Sequence, residues 1–394
     1  MENFDAIVVG AGPAGSAAAY RLAGAGASVL LLDRERFPRD KPCGGGLTGR
    51  AVDQLPFSVD PVVEDVVSRF ELRFGYGSKS FERVSTHPLV RMTQRRRLDA
   101  FLVERAADAG AEFRDGVRVE ELSKDGIVRG KGLRATAAVV IGADGVNGVI
   151  ARSIGLTGAH EHGVALEGNA ADADVEKERF RGRAVVELGS VPGGYGWVFP
   201  KGDHVNFGVG GWESEGPRLR DHLRRLCAAH GIDVGRLSSV RGFRLPMRRA
   251  GAGAALGRAA LIGDAAGLVD PLSGDGIFEA FLSAKLAAAA SLDVLEGRAA
   301  DFAPYERALN QALAGLESAS WGAKVAFDRY PSLTFAIARL PIVWRVVEGL
   351  LRGELRHPSA ARGLVRGPLR VLESLARAAG DPGAPFRLEA RAAE

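Results

Sequence analysis

Cysteine is nearly absent from this 394-residue chain: only Cys43 and Cys227 occur, and neither stands at metal-ligand spacing or in a disulfide framework. That excludes a cysteine-bound metal centre, predicts no metal site, and fits a reducing compartment. Aromatic residues are few, 7% of the chain, and scattered, which gives no stacking surface for nucleic acid. Apolar runs of membrane-spanning length are missing too. The longest candidate, Leu333 to Leu351, is broken by Arg339, Arg345 and Glu348. Charge is nearly balanced at +4, and the excess is local. From Pro331 onward ten arginines stand against six acids, a difference of four that accounts for the whole net charge. These arginines alternate with Leu, Val, Phe and Trp, a pattern that reads either as an amphipathic face for an anionic membrane or head group, or as an ordinary solvated helical face.

What is present begins almost at Met1. The apolar run Ala6 to Val9 reads as a buried parallel strand, and Gly10, Gly12 and Gly15 follow at G-x-G-x-x-G spacing before an Ala-rich helix, Ser16 to Leu22. Gly10 permits the tight turn, Gly12 lets the backbone approach a pyrophosphate, and Gly15 lets the helix close on the strand. The pyrophosphate would sit at the positive end of the helix, beside Ala14. A second apolar strand, Ser28 to Leu32, ends in Asp33, an acceptor for a ribose hydroxyl that disfavours a 2′-phosphate; Arg34 follows it. The site therefore prefers FAD or NAD over NADP. Acidic Glu2 and Asp5 stand where a secretory leader would be basic, so the expected location is cytoplasmic, with room for peripheral contact at the inner face of a membrane.

After Asp33 the chain reads Lys41-Pro-Cys43-Gly44-Gly45-Gly46. Three successive glycines make a segment whose amides can face a planar or anionic ligand, with Cys43 at its edge. Cys43 is either a group that handles a proton or positions substrate, or a small residue chosen for fit. Arg95 to Gly110 reads as an amphipathic helix ended by glycine. Strands follow around Val117 to Leu122 and Ala137 to Ile141, the latter ending in Gly142-Ala-Asp144-Gly145.

From about Leu156 to Val240 the pattern becomes alternating, as in Ala184 to Leu188 and His204 to Val209, which predicts half-buried antiparallel strands. Inside it lies Pro192-Gly-Gly-Tyr195-Gly-Trp197-Val-Phe199-Pro200-Lys201. In an extended strand Tyr195, Trp197 and Phe199 project from one face. Pro217 to His230 reads as a helix with Leu219, Leu223, Leu226 and Cys227 on its core face. A strand then delivers Asp264, and a turn carrying Gly274 and Gly276 opens a long Ala-rich helix at Ile277. An acid at a strand end can accept from ribityl hydroxyls, and a helix N-terminus can stabilise negative charge on a reduced flavin. After Asp301 the chain is helical, punctuated by Pro331, Pro341, Pro358 and Pro368, with a low-complexity end from Gly380 expected to fray.

The fingerprint, the Lys-Pro-Cys-Gly-Gly-Gly stretch, Arg95 four residues before Asp99, the Gly-Ala-Asp144-Gly motif, the aromatic-Pro-Lys pattern and the Gly-Asp264 segment together resemble the geranylgeranyl reductase family, within the para-hydroxybenzoate hydroxylase-like superfamily of FAD enzymes. The resemblance covers about residues 5 to 290. It implies an α/β fold: a Rossmann-type FAD-binding domain (1–70, 91–155 and 250–300), an inserted antiparallel-sheet substrate domain (71–90 and 156–249) and a C-terminal helical region (301–394). It implies further that Arg95 points toward the flavin, that Val119 meets the adenine through its backbone, that Asp144 serves the pyrophosphate, and that Gly148 stands where relatives often carry Ser. Tyr195, Trp197, Phe199 and Pro200 would form a substrate wall, with Cys43, Tyr195 or an ordered water supplying the proton. The implied activity is reduction of isolated C=C bonds in an isoprenoid chain, with electrons from NAD(P)H or a ferredoxin-like carrier. A flavin monooxygenase or halogenase of the same superfamily, and a non-enzymatic prenyl-binding protein, are the alternatives.

Overall fold

The computed structural model describes residues 1–77, 79–157, 160–248 and 251–379. The stretch from Gly380, including Arg387 and Arg391 of the basic tail, lies outside the described residues.

The first apolar run becomes the strand Glu2–Val9, whose last four residues are fully or almost fully buried. It pairs in parallel with Val29–Leu32 on one side and Leu133–Gly142 on the other. Glu112–Arg114 and Ala259–Leu261 extend the parallel sheet outward, and the short strands Val119–Leu122 and Ile127–Gly130 join it antiparallel. Continuous apolar sequence in these strands follows from burial on both faces. The helices Pro13–Gly24 and Ile277–Leu295 pack on one another beside the sheet, and both bury alanines in its core, Ala17 and Ala18 from one and Ala284, Ala287 and Ala288 from the other, small residues that permit close approach.

The second sheet has seven strands, with Ser238–Arg248 at one edge and Ser80–Val84 at the other. It is antiparallel except where Arg183–Leu188 meets Arg69–Phe74 in parallel. It starts at Arg69, two residues before the expected boundary. The alternation puts Val185, Val198, Val205, Phe207 and Val209 on one face, in a core with Leu223, Leu226 and Cys227 of the helix Leu219–Ala229. Cys227 is thus core, as expected. The opposite face carries Ala184, Val186, Tyr195, Trp197 and Phe199 toward the first sheet. Four C-terminal helices, Ala303–Arg329, Pro331–Ala338, Pro341–Leu351 and Arg366–Ala378, close the remaining side. Pro331 and Pro341 stand in the first turn of their helices, where a missing N–H costs nothing. Among the described residues no helix is long and apolar enough to cross a membrane.

Candidate active site

One cavity of about 1520 Å³ runs from the fingerprint turn, along the second sheet, to the C-terminal helices. At its first end the glycines have the geometry their spacing demands. Gly10 has φ +102°, and a Cβ on Gly15 would lie 1.8 Å from the Gly10 carbonyl, so helix and strand touch there. Gly12 is different. A Cβ there would meet only the guanidinium groups of Arg39 and Arg95, at 3.7 and 3.9 Å. The helix N-terminus and two cations therefore converge on one open spot, a fit for the pyrophosphate of a dinucleotide.

Asp99 aims both cations. Fully buried, it accepts from Arg95 Nε and Nη2 at 2.7 Å each and from Arg39 Nη1 at 2.6 Å. Burial alone would raise its carboxyl, but the Arg95 and Arg39 guanidiniums hold it below the usual range. Asp33 accepts the Ala11 amide at 2.8 Å and the Glu35 amide at 2.9 Å, while Arg34 pairs with Glu35 at the rim. Val119 borders the same end.

Asp144 accepts the amides of Val149 and Ile150, and its Oδ1 is buried without a hydrogen-bond partner. Such an orphaned acceptor beside the cavity fits a ligand hydroxyl. A Cβ on Gly148 would come within 2.2 Å of that Oδ1, so the missing serine belongs to the way Asp144 sits here. Asp264 pairs with Lys41 at 3.0 Å on the cavity wall.

The Pro-Cys-Gly-Gly-Gly segment is clamped from the second sheet. Cys43 N–H donates to Glu167 Oε1 at 2.8 Å, the Cys43 carbonyl accepts from Lys201 Nζ, and Gly45 N–H donates to Cys43 Sγ at 3.4 Å. A Cβ on Gly45 would meet the Thr93 carbonyl at 2.2 Å, and one on Gly44 would press on the Phe199 ring at 3.1 Å; Gly46 completes the run along the cavity. Glu167 is raised by burial, with Lys201 pulling the other way.

The aromatic wall has the predicted face. Tyr195 and Trp197 stand with centroids 6.0 Å apart, and Trp197 and Phe199 6.4 Å apart. Gly208 leaves the floor on which the indole lies, and Trp197 Nε1 donates to Asn206 Oδ1 at 2.7 Å. The Tyr195 hydroxyl donates to the Ser273 carbonyl, and burial raises it, with Asp275 and Asp270 adding to the shift. Pro200 is a correction. It falls on the opposite face of the strand and borders a small separate pocket with Glu64, Arg181 and His204. Period two had already put it there, one residue out of step with Phe199.

Gly274, Gly276 and Ile277 line the cavity, and the Ile277 amide donates to Asp275 Oδ1 at 2.8 Å, so a carboxylate caps the first turn of this helix. Beneath this turn Glu279 is buried, its Oε2 has no partner, and its carboxyl is pushed well above the usual range by burial and then by Asp275 and Asp270, against the pull of Arg50. A raised carboxyl keeps its proton when folded and loses it first when unfolded. Its contribution is therefore fully present below about 4.5, the ordinary value, and declines as pH rises through the folded value. Glu279→Gln should remove that decline and stabilise the protein by about 1–3 kcal/mol at pH 8 relative to its effect at pH 5. Urea midpoints of both proteins at the two pH values test this; a pH dependence unchanged by the substitution would sink it.

Sequence reasoning did not pick out Arg39, Glu167 or Lys201 as site residues, nor Trp344 of the helix Pro341–Leu351, which lines the far chamber with Phe70 and Leu72. Only Lys201 carried a signal, as the last residue of the aromatic-Pro-Lys pattern.

Residues 3–302 match the FAD binding domain family. A menaquinone reductase of Mycolicibacterium smegmatis is 34% identical over 313 residues, 72% of this chain and 75% of that protein. A digeranylgeranylglycerophospholipid reductase of Methanopyrus kandleri is 32% identical over 330 residues, 75% of this chain and 82% of that protein. In three dimensions the chain is similar to a geranylgeranyl bacteriochlorophyll reductase-like protein of Thermoplasma acidophilum, with a TM-score of 0.78 at 23% identity, over 94% of this chain and all of the other. With FAD as its cofactor, the chain belongs to the FAD binding domain family, in the group of FAD-dependent oxidoreductases that contains the geranylgeranyl and menaquinone reductases.

Proposed function

We propose that this protein saturates isolated C=C bonds in the isoprenoid chain of a lipid, diphosphate or quinone. The observation that carries the reading is the far half of the cavity. Beyond the aromatic wall it is lined by Phe70, Leu72, Val186, Val346 and Leu350, a surface for an apolar chain. At about 0.8 kcal/mol per buried CH₂-sized group, an isoprene unit contributes up to about 4 kcal/mol, so two or three units account for micromolar binding without a strong head-group contact.

FAD, when bound, supplies the reducing equivalents, drawn from NAD(P)H or a ferredoxin-like carrier. The chain's own residues do the rest. Arg39, Arg95 and the Gly12 turn hold the anionic part of the cofactor; Asp33, Asp144 and Asp264 offer acceptors to its hydroxyls. Tyr195, tied to Ser273, and Trp197, tied to Asn206, hold the alkene in place and exclude water. Cys43, whose backbone is fixed beside the cavity by Glu167 and Lys201, delivers the proton, while the Tyr195 hydroxyl is held by the Ser273 carbonyl; an ordered water is the alternative source.

The test is anaerobic. The purified protein is reduced with dithionite, mixed with geranylgeranyl diphosphate or with menaquinone, and followed by its flavin spectrum and by product mass. Reoxidation with a gain of two hydrogens is the expected result. A flavin that stays reduced with every prenyl substrate until oxygen is admitted would overturn the reading in favour of an oxygen-using enzyme.

A further inference from the structure

Eleven large hydrophobic residues are exposed among the described residues, and five of them, Leu333, Leu340, Val347, Leu364 and Val371, fall within the C-terminal helices and their connections. Leu364 is 88% exposed and sits between two exposed arginines, Arg362 and Arg366. An isolated surface leucine needs no explanation; a cluster of this kind does. The helix Arg366–Ala378 turns Leu369 and Leu372 to the cavity and leaves Arg366, Arg370, Val371 and Arg377 outward. On the neighbouring helix Pro341–Leu351, Val346 and Leu350 line the cavity, and Val347 both lines it and is 37% exposed, so the cavity reaches the surface there. Val346, Val365 and Ala361 pack into one cluster with Ile342, Leu350, Leu355 and Leu369, which makes the two helices and the turn between them a single unit. Over residues 331–379 eight arginines stand against three glutamates.

We propose that this face docks on an anionic lipid bilayer, with Leu364 and Val371 entering the interface, Arg362, Arg366 and Arg370 meeting lipid head groups, and the cavity opening at Val347 toward the membrane. Three features select a bilayer as the occupant. The face is basic, its apolar side chains protrude among the arginines, and it is continuous with a cavity lined for an apolar chain. Because no described helix can span a membrane, the contact is peripheral. The proposal draws on the isoprenoid reading only for what passes through the opening; binding to the bilayer is a separate property.

The experiment uses the FAD-loaded protein and sucrose-loaded vesicles of phosphatidylcholine, with and without about one third phosphatidylglycerol, in sedimentation at about 0.1 M salt. The protein should sediment with the anionic vesicles and be released at high salt. Each arginine near an anionic surface is worth about fivefold in partitioning, so the combined R362Q, R366Q and R370Q variant should lose on the order of 100-fold. Leu364→Asp should weaken binding without changing FAD absorbance, which reports that the variant has folded. Absence of sedimentation with either vesicle, equal binding to both, or a triple variant that binds like the parent would overturn the proposal. Turnover of a dispersed, water-soluble prenyl diphosphate separates the two readings. If both variants keep it and the parent fails to bind vesicles, docking is wrong and the reductase stands. If vesicle binding behaves as stated while turnover is absent, docking stands and the reductase reading falls.

Discussion

Cys43→Ala should slow prenyl reduction by about 10²–10⁴-fold, the range lost when a positioned proton donor is removed, while FAD content and spectrum stay unchanged. The expectation rests on how the residue is held. Its N–H and carbonyl are fixed by Glu167 and Lys201, two buried groups on one sheet, and its sulfur receives the Gly45 amide. The Glu167 and Lys201 contacts hold the backbone and do not depend on the side chain, so the alanine variant, which loses only the Gly45 N–H to Sγ contact, should keep the same backbone. The loss should appear in turnover and not in substrate affinity, because on the proposed reading the substrate chain would be gripped elsewhere, by the cavity-lining Phe70, Leu72 and Leu350. Cys43→Ser, which still carries a hydrogen, should recover part of the rate. If alanine turns over like the parent, Cys43 is a small residue chosen for fit beside Gly44, and the proton comes from an ordered water.

The parts of this site that could be read in the sequence are those fixed by local backbone geometry. Gly10 and Gly15 are demanded by a turn and a contact that lie within six residues, and the one-sided wall of Tyr195, Trp197 and Phe199 follows from the period of a strand. What was not legible depends on partners far along the chain. Cys43 is 124 residues from Glu167, and Arg39 is 60 residues from Asp99. No periodicity announces that the strand Arg183–Leu188 will run parallel to Arg69–Phe74, or that Trp344 will close the chamber. At Ile277 the general rule that a helix N-terminus attracts an anion held, and the anion seated on its amide is the neighbouring Asp275, a contact the glycine spacing did not announce.

Asp99 shows how much depends on one such distant partner. Asp99→Ala would leave the Arg95 guanidinium buried and Arg39 beside it with no shared counter-charge, and breaking a buried ion pair from one side costs about 3–5 kcal/mol. Two consequences should be separable. The variant freed of cofactor should unfold at lower urea than the parent treated in the same way, and it should also retain much less FAD, because the two guanidiniums that flank Gly12 are no longer aimed. The pH dependence identifies the charge as the cause. A carboxyl held below its ordinary value of 3.8 contributes stability that is present above that pH and lost as pH falls through the lowered folded value. The gap between parent and variant should therefore close in acid. If Asp99→Ala stays within about 1 kcal/mol of the parent at neutral pH, or the gap is unchanged in acid, the buried triad is only a packing arrangement and the Gly12 spot must be organised by the helix N-terminus alone.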